Sequence, residues 1–274
     1  MGGNDIYNLN DLKSHLNSLF NFASQVPYCQ NHLLPVIQAA KGLIGINPND
    51  PPKNLLKWLE EYIKEFSINE KKNNDKTEQN PPEVVDITQL GEWVRSNNRL
   101  KSVQYLNFLK QVANHEYIAE YLVELAANKT PFQLLFSWFI FKTIRILDDK
   151  SNSSLLDLSL ACLLDKNIDN KLFQFEFICY QNQILSSNMI RMKTIKPHII
   201  EKVHTSKLDL NLKNNCSFPK KLIAFINESG DNGIWQYLST LNIPELNAEL
   251  ILQLDAIRSD IQYPLGGDDW LFEN

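Results

Sequence analysis

Cys29 and His32 stand three positions apart, with His15 upstream. A thiol beside an imidazole is the raw material of a zinc site. Zinc asks for four ligands, and no second pair at suitable spacing follows. The pair is therefore read as a small buried thiol beside a histidine that starts a helix. The chain contains no phosphate-loop signature, no GxGxxG, no HExxH, no GxSxG and no kinase signature. No catalytic, cofactor-binding or metal-ligating residue is assigned, and no cofactor is expected. A non-enzymatic role is favoured, with an enzyme left open.

Charge gives the next candidates. From Arg191 to Lys221 there are eight Lys/Arg against two acids, a net of +6. Such a block binds phosphates by releasing condensed counterions, which makes Arg191, Lys193, Lys196, Lys202 and Lys207 candidate nucleic-acid contacts. From Leu222 to Asn274 nine acids face Arg258 alone, a net of −8. The acidic stretch offers the alternative of an internal clasp, and plain solvation is the third reading. The tail sets Trp270, Leu271 and Phe272 among Asp268, Asp269 and Glu273. These three are the candidate partner-binding residues, aromatic anchors steered by acids, unless they fold back onto the core.

Positioning these groups falls to helices. Thr130 to Asp149 opens with a capping residue and a proline suited to a first turn. Leu134, Leu135, Trp138, Phe139, Phe141, Ile144, Ile146 and Leu147 then cover nearly every side, so this helix belongs at the centre of a core. The apolar run is too short for a bilayer, which needs about 20 residues. Residues 1–66 read as a three-helix N-terminal module. Residues 67–83 read as a flexible linker, polar and carrying Pro81 and Pro82. Residues 84–262 read as the main helical body, with DDKSNSS (148–154) a loop, Lys171 to Met192 one long helix, GDNG (230–233) a turn and a last helix starting near Pro244. KLDLN (207–211) is the one stretch that alternates like a strand. Residues 263–274 form an acidic-aromatic tail. The expected fold is all-α, a multi-helix bundle with a small N-terminal module.

The net charge of −5 argues against a globally basic nucleic-acid binder. The four cysteines form no CxxC pair and suit a reducing compartment, so the expected location is cytoplasmic. The first residues carry neither a basic nor an apolar leader segment, and Ile6 stands where a myristoylation motif wants Ser or Thr.

Arg191 and His198 enclose six residues, the spacing of the HEPN ribonuclease motif, which they resemble. Pro197 interrupts the helix that family carries there. YLNFLKQ (105–111), LFSWFIFKTI (135–144) and FICYQNQILSSNMIRMK (177–193) resemble the helical segment of large superfamily 1 nucleic-acid helicases. Phe177, Leu185, Asn188 and Arg191 fall at similar relative spacing, over about a third of the chain. That resemblance implies a helical accessory module near nucleic acid, since the ATPase motifs are absent. The leading expectation is a helical protein-interaction or adaptor component of a larger assembly, with a protein partner, no membrane, and a nucleic-acid accessory role as the alternative.

Overall fold

A computed structural model describes residues 8–68, 85–147, 149–169, 171–174, 176, 179–180 and 218–262. Among these residues the chain is all-α. The helices are α1 (Leu9–Ala23), α2 (Leu33–Ile44), α3 (Lys53–Tyr62), α4 (Thr88–Arg95), α5 (Arg99–Val112) and α6 (His115–Ala126). They continue with α7 (Pro131–Ile144), α8 (Asp149–Leu164), α9 (Lys220–Ser229), α10 (Asp231–Thr240) and α11 (Ala248–Gln262). Short 3-10 turns follow α3 (Ile63–Glu65) and precede α11 (Ile243–Glu245). No strand occurs among the described residues, and KLDLN lies outside them.

Local chemistry sets the helix starts. Asn8, Asn98 and Asn114 each accept a backbone N–H of the following first turn through the side chain. Thr130 and Gln133 form a reciprocal capping box at the start of α7, with bonds of 3.2 and 3.1 Å. The Gln133 amide also donates to the Cys162 carbonyl at 2.9 Å, which ties that start to the end of α8.

Helix α7 takes the central place its composition predicts. From Phe132 to Ile144 every residue except Lys142 is buried, and Trp138 is 6% exposed. It packs on α6, α8 and α2. Helix α2 is buried along its whole length, Gln38 and Lys41 included, between α1, α3, α7 and α11. The core is consequently continuous from α1 through α11, and packing crosses the boundary drawn at 67–83.

Several boundaries depart from the expectation. Helix α7 ends at Ile144, with Arg145 as its C-cap. The stretch read as a loop is helical from Asp149, because Asp, Ser and Asn suit a helix's first turn as well as a loop. Residues 171–173 form a turn instead of opening a long helix. The Asp169 carboxylate accepts the Lys171 N–H at 2.9 Å, and Phe173 takes φ 58°. Only Gly230 separates α9 from α10, at φ 56°, so the expected GDNG turn shrinks to one residue. Pro244 opens a 3-10 turn under an Asn242–Glu245 capping box, and α11 starts later, where Asn247 accepts the Leu250 N–H at 2.9 Å.

Candidate functional site

The segment after Pro27, the turn after α3 and residues 171–174 and 176 after α8 converge on the first turns of α11. Between them lies a cleft of about 790 Å³. Cys29, His32 and Val36 form one wall, and Tyr62, Glu65 and Phe66 another. Lys171 to Gln174 with Glu176 form the third, and Ala248, Glu249, Leu252 and Gln253 of α11 the fourth. Aromatic surface comes from Tyr62 and Phe66, which meet edge to face at 5.2 Å, and from Phe173.

His32 is fixed. Its Nδ1 accepts the Leu34 N–H at 3.1 Å as the cap of α2, so its Nε2 carries the proton and donates to the Val26 carbonyl, also at 3.1 Å. Burial pushes its pKa down to about 4, against a smaller opposing pull from that carbonyl. The reading of His32 as a helix-start residue holds. Cys29 is exposed where a buried thiol was expected, because it sits in the turn that leads into α2. What cover it has pushes the thiol up, away from thiolate. His32 has neither nitrogen to spare for a base, so this pair is not an activated nucleophile.

The carboxylates differ in burial. Glu65 and Glu249 are exposed, and the Glu249 carboxylate accepts from Gln253 at 3.1 Å. Glu176 is 7% exposed. Burial first, and the neighbouring Glu249 charge after it, raise its pKa, while its own backbone N–H pulls the other way.

A second polar cluster lies deeper, where α2 meets α11. The buried Asp255 carboxylate accepts from Arg258 Nε at 2.8 Å and from the Tyr180 hydroxyl. Tyr180 packs edge to face on Phe139 of α7, at 5.3 Å. Gly42 lets the helices approach, because a Cβ there would collide with the Asp255 carboxylate and come within 2.7 Å of Arg258 Nη2. Burial works against the Arg258 charge, but Asp255 and Tyr180 outweigh it and hold the guanidinium protonated. Burial, then the Asp255 charge, pushes the Tyr180 hydroxyl well up. The trio ties α11 to Tyr180 and, through the Tyr180 ring, to α7. Asp255 and Arg258, assigned from sequence to a charged C-terminal stretch, are thus paired inside the core.

Arg191, Lys193, Lys196, Lys202 and Lys207 lie outside the described residues, as do His198, Trp270, Leu271 and Phe272. Of the basic block, Lys221 is seen at the start of α9, where it donates to Thr240 at 3.2 Å. Sequence reasoning missed Glu176, Tyr62 and Phe66 as companions. The available signal was a carboxylate inside the apolar run Phe173–Tyr180, where a charge has little to gain. Among the described residues no group of three or more His, Cys, Asp or Glu is arranged to hold a metal ion, and no helix is long and apolar enough to cross a membrane. No protein-family model, curated protein or solved structure matches the chain.

Proposed function

We propose that the chain is a non-enzymatic helical protein-interaction component of a larger assembly and holds a segment of its partner in the cleft beside Glu176. The observation that carries this reading is the cleft itself. It sets aromatic and aliphatic surface beside carboxylates, in a concavity large enough for several side chains, and its one thiol and one imidazole are in inert states. The test is assembly mass. Tagged chain expressed at native level should elute from size exclusion, with light scattering, well above the mass of the lone chain. Phe66→Glu should return it to the lone-chain mass while its helical circular dichroism and cooperative melting are retained. Elution of the wild-type chain at its own mass would sink the proposal.

The +6 stretch from Arg191 to Lys221, with the helicase-like segment, supports a second reading as a nucleic-acid-associated accessory. It requires that DNA or RNA bind at micromolar affinity or better and that changing Lys193, Lys196, Lys202 and Lys207 to Glu abolish binding, with a steep salt dependence.

A further inference from the structure

Glu176 is a carboxylate that is more than nine-tenths buried and lines an open cleft. No lysine or arginine among the described residues forms an ion pair with it. A buried carboxylate without a counter-ion is costly, and a cation brought to it from outside relieves that cost. The surroundings carry the same sign. Glu65 and Glu249 stand on the rim, Lys171 is the one cationic side chain in the lining, and His32 is neutral. The Tyr62 and Phe66 rings border the same space, and aromatic faces attract guanidinium and ammonium groups.

We infer that the cleft reads a cation: it takes a basic, amphipathic segment of a partner protein, one lysine or arginine of which reaches Glu176 while apolar neighbours lie on Tyr62, Phe66 and Phe173. This rests on the partner-holding role proposed above and supplies the partner's chemistry. Charge selects the occupant, because a polyanion would meet three carboxylates against one lysine. The raised pKa of Glu176, which burial causes first, fits a group with no counter-ion among the described residues.

Three short fluorescein-labelled peptides test it by anisotropy on the full chain. One alternates Leu and Arg at helical spacing, and the other two carry Gln or Glu for Arg. The Arg peptide should bind about tenfold or more tightly than the other two. Glu176→Gln should remove that preference, and Glu92→Gln, on an exposed face of α4, should leave it intact. If Glu176→Gln melts early, Glu249→Gln on the exposed rim should reduce the preference instead. An Arg preference that survives both cleft variants overturns the inference. If instead the three peptides bind the wild-type chain alike and all are lost on Phe66→Ala, the cleft is still a peptide site and only its charge reading falls. If no peptide binds, or none responds to Phe66→Ala, both readings fall together.

Discussion

Arg258 keeps a full charge in the core because Asp255, one helical turn away, is buried with it and Tyr180 satisfies the carboxylate's other side. Such a pair adds little over a well-packed apolar replacement, but breaking it strands a charge. Arg258→Met should therefore cost roughly 3–5 kcal/mol in urea unfolding, and adding Asp255→Leu should recover much of the loss. A loss below about 1 kcal/mol for the single change would place the pair in contact with water. His32 gives a pH prediction. Its folded pKa is about 4 and its unfolded pKa about 6.5, so the unfolded chain binds the proton first as pH falls. Its contribution is complete above pH 6.5 and is lost progressively down to pH 4, a change of about 3 kcal/mol. His32→Asn keeps a capping side chain and should flatten the stability slope in that window. An unchanged slope would mean that the imidazole already titrates normally when folded.

At the scale of helices, α7 depends on Trp138, which stacks on Phe141 at 5.6 Å between ring centroids. Trp138→Ala should cost roughly 3–5 kcal/mol, read from chemical denaturation, and a value near zero would put this face at a surface. Helix α7 was legible because Thr130 and Pro131 mark its start and its apolar residues cover nearly every side. Helix α2 was only half legible. Its apolar run reads as a helix, but nothing local shows that Gln38, which donates to Thr143 of α7, and Lys41 are buried, with α7 and α11 packed on the helix. The start of α8 was misread because capping residues and loop residues are the same residue types. The Asp255–Arg258 pair was not legible in the charge count, since nothing local reveals that Gly42 admits α11 so closely.

At the scale of the molecule, the 67–83 stretch and the continuous core make a joint prediction. Limited proteolysis should cut first within 67–83, on the polarity of that sequence, yet the two fragments should co-elute because α2 and α3 pack on α11 and α10. Separation of the fragments on native size exclusion would show that the N-terminal helices stand alone. The cleft was illegible from sequence for the same reason that it is well placed: its walls come from four stretches far apart in the chain, and no local motif joins them. The burial of α2 also has a consequence in time. Helix α2 leaves the ribosome about 200 residues ahead of α11. At about 5–20 residues per second, its apolar flank waits roughly ten seconds or more for its cover. Over that interval the nascent chain presents an apolar surface that the finished fold hides.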